Sequence, residues 1–354
     1  MKSLNRRDFL KLSGLALFGT AGGSILSNKK SQPAATADNV ICGAPKADLA
    51  LAQMQQHENG LIPGIIGDVD FEKNGFNPTD TLTDFDYGKV STLPNGQTLR
   101  EFEIVVYNKD LEIVPDIQFA AWTYNGRIPG LTLRATEGDR VRIKLTNGSD
   151  HPHSMHFHGF HPSEMDGVPG TGPGGSIAPG KSFTYEFDAE PFGLHLYHCH
   201  VFPLARHIAK GLYGAFIVDP KEARPPADRE MVMVMSGFDV DFDDKNDFYA
   251  VNGIPFHYQN HPIQIKVGEL VRVYLVNILE FELINSFHLH ANFFHYFPTG
   301  TSLTPSEFTD TIIQGQAQRG ILEFTYKYPG MYMFHAHITE FAELGWNGMF
   351  EVIA

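Results

Sequence analysis

The chain has 354 residues, a hydrophobic content of 42% and a formal net charge of −14 at pH 7. This length suits two domains of about 100–150 residues with additional segments, and this composition suits a globular protein with a large apolar core. The acidic balance disfavours nucleic acid as a partner, because its phosphates would be repelled, and two cysteines exclude a disulfide framework.

Residues 1–37 have the features of an export signal. Arg6 and Arg7 precede an apolar, glycine-rich run from Leu12 to Leu26. That run is too short for a comfortable membrane span and is typical of the hydrophobic region of a signal peptide. The arginine pair resembles a twin-arginine signal, and an ordinary secretory signal is the alternative. We therefore predict a periplasmic or extracellular protein with no stable membrane insertion after signal cleavage.

The rest of the chain divides into an arm and two domains. Residues 38–95 are rich in Gly, Pro, Asn and Asp, which predicts an extended N-terminal arm that packs on the first domain. From residue 101 onward, short alternating runs separated by turn residues predict an all-β sandwich or barrel. A proline-rich break at 221–227 predicts a linker between domain 1 (96–220) and domain 2 (228–354).

The second half of the chain repeats the landmarks of the first half. An Asn-Gly turn at 125–126 recurs at 252–253, and two His-x-His pairs follow in each half. Landmarks in the same order indicate two tandem β-sandwiches. The pairs are His156 and His158, His198 and His200, His288 and His290, and His335 and His337.

The His-x-His pairs predict metal binding. Side chains two residues apart lie on the same face of a strand, where two imidazoles can hold metal ions. One such pair could be a packed part of a core, but four pairs in duplicated positions favour metal ligation. Imidazole ligands suit zinc or copper, so the pairs by themselves leave the metal open.

A second set of candidate ligands favours copper. Cys199 lies between the two histidines of one pair and therefore points to the opposite face of the strand. His153 precedes the first pair by an odd number of residues, which places it on the side of Cys199, and His207 completes the set. A trigonal His₂Cys set is typical of a blue-copper electron-transfer site.

These motifs resemble the two-domain multicopper oxidases of the small-laccase type, from about Glu101 to the end of the chain. The resemblance implies two cupredoxin-like Greek-key β-sandwich domains and four copper ions per chain. It implies a type 1 copper bound by His153, Cys199 and His207. It implies a type 2 copper bound by His156 and His288, and a type 3 pair bound by His158, His198, His200, His290, His335 and His337.

Two features of the type 1 positions lead to further predictions, one in each domain. Leu212 stands where the related copper nitrite reductases have a methionine, so the type 1 copper would lack an axial sulfur ligand and have a high potential. The equivalent positions of domain 2 hold Asn285, Ala336 and Phe341, with Trp346 opposite Leu212. Without a thiolate, domain 2 cannot form a blue site, so we predict one type 1 copper per chain.

Asp166 matches the acidic residue that supplies protons near the copper cluster in the resembled family. We predict that it acts as a general acid during oxygen reduction. The alternative is a purely structural role, because Asp-Gly-x-Pro-Gly is also a good turn sequence.

The resemblance implies an oxidase that takes electrons from a small molecule, a metal ion or a redox partner and reduces dioxygen to water. A copper nitrite reductase is the alternative, although one imidazole-bound copper would leave several histidines unused. A non-enzymatic electron carrier or copper-binding protein would explain Cys199 and His207 only. The resemblance also implies a homotrimer in which domain 1 of one subunit meets domain 2 of the next, with the clusters at these interfaces.

Overall fold

The computed structural model describes residues 66–354. The predicted signal peptide and the first part of the predicted arm lie outside the described residues. Within the described range, no helix is long and apolar enough to cross a membrane.

The described part of the chain consists of short strands with a few short helices. The strands of the first half are β1 (Phe85–Asp86), β2 (Lys89–Thr92), β3 (Thr98–Val114), β4 (Ile117–Tyr124), β5 (Thr132–Thr136), β6 (Arg140–Asn147), β7 (His156–Phe157), β8 (Ser182–Asp188), β9 (Gly193–His198) and β10 (Tyr213–Asp219). The strands of the second half are β11 (Arg229–Phe238), β12 (Phe248–Val251), β13 (Ile263–Lys266), β14 (Val271–Asn277), β15 (Ile284–Leu289), β16 (Phe294–Pro298), β17 (Glu307–Thr309), β18 (Thr311–Gly315), β19 (Arg319–Phe324), β20 (Gly330–His335) and β21 (Asn347–Ile353). The helices are α1 (Phe71–Asn74), α2 (Pro78–Thr81), α3 (Leu204–Ala209), α4 (His257–Asn260) and α5 (Thr339–Glu343), and 3₁₀ turns lie at Ser163–Met165 and Pro173–Gly175.

Each half of the chain contains two sheets. The first half has the strand order β1-β5-β10-β9-β7 in one sheet and β2-β3-β6-β8 in the other, with β4 paired to β3. The second half has the orders β13-β21-β20-β15-β18 and β12-β11-β14-β19-β16-β17. In each half the buried apolar side chains of both sheets form a shared core. The prediction of an all-β chain with two cupredoxin-like sandwiches is confirmed.

The alternation of side chains explains why these segments form sandwich strands. Along β6, the apolar residues Val141, Ile143 and Leu145 are fully buried, while the basic residues between them are partly exposed. Residues two apart on a strand share a face, so this pattern presents one apolar face to the core and one basic face to acidic partners on β8 and β3.

The two sandwiches have the same internal topology. The sheet order β5-β10-β9-β7 recurs as β13-β21-β20-β15, and the order β4-β3-β6-β8 recurs as β12-β11-β14-β19. The register is also repeated, because His156 pairs with His198 and His288 pairs with His335. Duplicated topology and register therefore place the four His-x-His pairs at the same location in each sandwich.

Apolar and ionic contacts fix the two sandwiches to each other within the chain. One buried cluster contains Leu111 and Phe119 of the first half together with Val232 of the second half. Beside it, Arg134 binds Asp219 and Glu230, each at 2.8 Å. Between β10 and β11, residues 220–228 contain no helix or strand.

The described part of the N-terminal arm is more ordered than we predicted and contacts both domains. Its strands β1 and β2 extend the two sheets of the first half by pairing with β5 and β3. Its helical part lies against the second half, where Tyr258 donates a hydrogen bond to the Pro78 carbonyl at 2.6 Å and Leu82 enters the core. The arm therefore packs on the second domain as well as on the first domain, where we predicted its contacts.

Candidate metal centres

The fold brings Cys199, His153 and His207 together. Cys199 follows β9, and its backbone N–H donates to the Leu212 carbonyl at 3.0 Å. His153 is held by a pair of backbone hydrogen bonds with Ile177, and His207 projects from α3. Three separate segments of the first sandwich thus supply one side chain each.

The three side chains form a compact triangle of ligand atoms. Cys199 Sγ lies 3.2 Å from His207 Nδ1 and 3.8 Å from His153 Nδ1, and the two Nδ1 atoms are 3.2 Å apart. A point about 2.0 Å from all three atoms exists at the centre of such a triangle, close to the bond lengths of first-row metals with imidazole nitrogen, which are about 2.0–2.1 Å for zinc. The Ser154 N–H also points to the sulfur, at 3.4 Å. Geometry and donor set therefore fit a trigonal His₂Cys copper.

Burial sets the protonation of this triangle. Burial raises the pKa of the Cys199 thiol to about 11 and lowers the pKa of His153 to about 3 and of His207 to about 4. The metal-free set is therefore a neutral thiol with two neutral imidazoles at pH 7. Binding of a cation would release the thiol proton, because metal ligation requires the thiolate.

Leu212 closes this pocket without offering a ligand. Its side chain is fully buried in the core of the first sandwich, and its backbone binds both Cys199 and His207. The backbone contacts explain why this position adjoins the triangle. A leucine supplies no lone pair, so the axial direction has no sulfur donor.

The four histidines of the two pairs in domain 1 form a second group, which the pairing of His156 on β7 with His198 on β9 brings together. Ligand atoms of His156, His158 and His198 lie within 4.8 Å of one another, and the Nε2 atoms of His158 and His198 are 3.3 Å apart. The ring of His200 is 5.2 Å from that of His156, and its buried Nδ1 has no hydrogen-bond partner.

Backbone carbonyls orient the imidazoles of this group. His198 Nδ1–H donates to the Cys199 carbonyl at 3.0 Å, and His156 Nδ1–H donates to the Asp166 carbonyl at 2.8 Å. A proton on Nδ1 leaves the lone pair of Nε2 free, which is the usual arrangement for a metal-binding histidine.

Domain 2 repeats this arrangement with its own four histidines. His290 Nε2 and His335 Nε2 lie 2.9 Å apart, and the ring of His337 is 5.1 Å from that of His288. His335 Nδ1–H donates to the Ala336 carbonyl at 2.6 Å, as His198 does to the carbonyl of its own successor. His288 Nδ1 is oriented differently, by the Asp310 carbonyl and the hydroxyl of Thr311.

The two four-histidine groups remain separate within one chain. Within residues 66–354, no hydrogen bond or ring contact joins a histidine of one group to a histidine of the other. Exposed aromatic side chains border each group: Phe160 and Phe202 in domain 1, and Phe293 and Phe308 in domain 2. The domain 2 group also faces an open groove of about 1000 Å³. Each group of four histidines therefore stands by itself within the described residues.

The domain 2 position that corresponds to the Cys–His₂ triangle is filled by packed side chains. Trp346 is fully buried there and donates a hydrogen bond from its indole N–H to Asn285 Oδ1 at 3.1 Å. Ala336 is fully buried, and the ring of Phe341 stacks on Tyr249 with centroids 4.0 Å apart. No thiol or imidazole stands at these positions.

Asp166 lies beside the domain 1 group. Its Oδ1 is 3.1 Å from His156 Nδ1 and 3.7 Å from His161 Nε2, and its side chain is partly exposed. A carboxylate in this position contacts both solvent and the candidate ligand His156.

Among the residues that contact the candidate ligands and that sequence reasoning missed are Trp122 and Thr311. Trp122 packs against both His153 and His207, and Thr311 orients His288. Neither has a spacing relative to the His-x-His pairs that would identify it, because each reaches the site from a different strand.

Comparisons with known proteins agree with this geometry. Residues 107–223 and residues 224–354 match two sequence families that are both described as multicopper oxidase. A crystal structure of a multicopper oxidase is 65% identical in sequence, covers 81% of this chain and all of that chain, and superposes with a TM-score of 0.80.

Copper nitrite reductases are also similar. That of Neisseria meningitidis is 30% identical over 254 residues, which are 65% of this chain and 63% of that protein, less than two thirds of its length. The structure of the copper nitrite reductase from Nitrosomonas europaea is 28% identical, covers 72% of this chain and 94% of that chain, and has a TM-score of 0.66.

The two family matches together cover residues 107–354, which include every candidate ligand described above. The chain therefore belongs to the multicopper oxidase family, whose metal is copper.

Proposed function

We propose that the protein is a laccase-like oxidase that couples one-electron oxidation of a reductant to the four-electron reduction of dioxygen to water. The observation that carries this proposal is the pairing of one Cys–His₂ triangle with two matched groups of four histidines. Bound copper would accept single electrons at the triangle and supply oxygen reduction at the histidine groups. The balance is four electrons and four protons for each dioxygen, giving two waters.

The proposed copper ligands are those that the resemblance to the small-laccase type implies. His153, Cys199 and His207 would hold type 1 copper, and His156 and His288 would hold type 2 copper. A type 3 pair would be held by His158, His198, His200, His290, His335 and His337. This set corresponds to four copper ions per chain.

Cys199 connects the two kinds of site within domain 1. Its neighbours His198 and His200 belong to the histidine group, while its own sulfur belongs to the triangle. The hydrogen bond from His198 Nδ1 to the Cys199 carbonyl, at 3.0 Å, provides a second short connection beside the covalent chain. Electrons would therefore cross from the thiolate to the histidine group through a single residue.

We infer a homotrimer as the active form. One chain keeps its two four-histidine groups apart, and each group is bordered by exposed aromatic side chains such as Phe202 and Phe308. A head-to-tail contact between domain 1 and domain 2 of neighbouring subunits would complete the ligand set, and rotational symmetry would close it into a ring. We further propose export by the twin-arginine route to the periplasm or the extracellular space.

Asp166 is our candidate for the group that delivers protons to the cluster. Its carboxylate lies next to the candidate ligand His156 and reaches solvent, so it can pass protons inward. We expect Asp166→Asn to keep its copper content and lose most of its turnover, as measured by copper analysis and oxygen uptake. Full activity in this variant would leave only the structural role of the turn.

The experiment that tests the function measures the copper content, the uptake of oxygen and the molecular mass of the same preparation. We expect about four copper ions per chain, oxygen uptake with hydroquinone as the reductant, and a trimer by light scattering. Nitric oxide from nitrite, with no oxygen uptake, would instead establish the alternative function of a copper nitrite reductase. A monomer that carries the full copper content would contradict the shared cluster.

A further inference from the structure

The Cys–His₂ triangle has almost no direct contact with solvent. The exposed fractions are 0% for His153 and Cys199 and 3% for His207. A reductant in solution therefore cannot approach the ligand rings closely, and electrons have to cross at least one other side chain.

One indole occupies the position between the triangle and the surface. The ring centroid of Trp122 lies 5.0 Å from that of His153 and 4.7 Å from that of His207. The same ring is 4.9 Å from His151, whose side chain is half exposed. The contacts form a continuous series of aromatic rings from the surface to two ligands of the triangle.

The backbone holds Trp122 in this place. Its N–H donates a hydrogen bond of 2.9 Å to the carbonyl of Lys210, the residue that follows α3 and caps it. Since α3 carries His207, this bond links the strand of the indole directly to the helix of the imidazole. The backbone at Trp122 is therefore anchored to the helix that carries His207.

We propose that His151 and Trp122 form the route by which electrons from an external donor reach the type 1 copper, an inference that rests on the proposed function. One electron leaves the donor at the surface near His151, crosses the indole and reaches copper through His207 or His153. The donor would lose one electron, and copper held by the triangle would gain it. No covalent bond forms or breaks, and no proton moves at Trp122, which is a positioning residue for this transfer.

A nearby cation favours electron transfer through a neutral indole over a mechanism in which the indole is itself oxidised to a radical. Lys210 Nζ lies 5.2 Å from the centroid of the Trp122 ring. A positive charge at this distance is attracted to the electron-rich face of a neutral indole and opposes the removal of an electron from it. The ring therefore transmits the electron without becoming oxidised itself.

The charge at the surface end of the route selects the donor. Asp150 is largely exposed and binds His151 Nδ1 at 2.7 Å. Hydrogen bonds from Asn108 and His151 lower the pKa of this carboxyl, so it is ionised at pH 7. Together with the net charge of −14, this carboxylate favours neutral or cationic one-electron donors.

The test is anaerobic stopped-flow reduction of the copper-loaded protein by hexaammineruthenium(II), followed by loss of the thiolate charge-transfer band. We expect Trp122→Leu to slow this reduction by about tenfold or more, which corresponds to about 1.4 kcal/mol of activation free energy. Trp122→Phe keeps an aromatic ring and should restore most of the rate. His151→Ala removes a half-exposed side chain and should slow the reduction to a smaller extent.

Two further readouts separate the route from other effects. The reduction potential and the charge-transfer spectrum of Trp122→Leu should equal those of the wild type, and reoxidation of the fully reduced protein by dioxygen should be unchanged. Wild-type reduction rates in Trp122→Leu and His151→Ala would overturn the route alone. A changed potential that accounts for the slower rate would also overturn it. Absence of a thiolate band in the copper-loaded wild type would overturn the proposed function and the route with it.

Discussion

The interiors of the two sandwiches differ at one equivalent site, which several side chains form in each domain. In domain 1, Cys199 and two histidines leave room for a metal at the centre of their ligand atoms. In domain 2, Ala336 replaces the cysteine, and Trp346 fills the space and binds Asn285. The strand pairing around the two positions is the same, because His198 faces Tyr213 as His335 faces Asn347.

This difference shows that the same place in the scaffold can hold either a set of candidate metal ligands or a packed core. Each sandwich keeps four histidines, in two His-x-His pairs, which form the histidine group of that domain. Only the interior side differs, because domain 2 has a packed core where domain 1 has the Cys–His₂ triangle. Substitutions that give one domain the residue of the other, or that remove a side chain that distinguishes the two domains, test this comparison.

The largest effect should come from Cys199→Ala, which gives domain 1 the residue that domain 2 has at this position. We expect the thiolate charge-transfer band to disappear and oxygen uptake to fall below detection, because no other ligand in the triangle is a thiolate. Absorption spectroscopy and an oxygen electrode measure both. Copper in the histidine groups should remain, and a persisting blue band would show that the copper site lies elsewhere.

Trp346, at the equivalent site in domain 2, should contribute to stability and should not affect the blue absorption band. We expect Trp346→Ala to lower the free energy of unfolding by about 3–5 kcal/mol, since a fully buried indole leaves a large cavity. Denaturant unfolding of the metal-free protein measures this loss. Trp346→Phe should cost less, and the blue band should be unchanged in both variants. A loss below about 1 kcal/mol for the alanine variant would contradict the packed-core interpretation.

Acid should destabilise the metal-free protein through the buried histidines of domain 1. Burial lowers the pKa of His158 to about 3 and of His198 to about 4, against about 6.5 in an unfolded chain. Below pH 6.5 the unfolded chain therefore binds protons that the folded chain does not bind. The stability from these groups is complete above about pH 6.5 and is lost as the pH falls towards about 4, by up to about 1.4 kcal/mol per histidine and pH unit.

Unfolding titrations between pH 7 and pH 4 measure this slope. His158→Gln should flatten it, because one proton-binding difference is removed. The control is His295→Gln in domain 2, where the histidine is exposed and the slope should remain. Equal slopes in the wild type and in His158→Gln would show that His158 does not contribute.

The smallest structural change, Leu212→Met, tests the axial position of the triangle. A methionine sulfur is a weak donor that stabilises Cu(II), so we expect a lower reduction potential with the blue band retained. The swap conserves volume, so the unfolding free energy should change by less than about 1.5 kcal/mol. Redox titration measures the potential, with Leu212→Ile as the control that adds no donor. An unchanged or higher potential would refute the axial explanation.

Much of the fold could be predicted from local patterns. The alternation in β6 and the repeated His-x-His pairs follow from the two-residue period of a strand, which needs no knowledge of distant contacts. The same period predicted that Cys199 and His198 point to opposite sides. The secondary structure of residues 66–95 could not be predicted in this way. The elements α1, α2, β1 and β2 are short and are held by contacts with both sandwiches.

The sequence by itself determined which side chains can bind metal and on which face of a strand each one lies, because strand geometry is local. Tertiary structure decided the rest, since distances between segments far apart in sequence depend on packing. It brought His153 and His207 to within 3.2 Å of each other, placed Trp122 against both, and kept the two four-histidine groups apart within one chain.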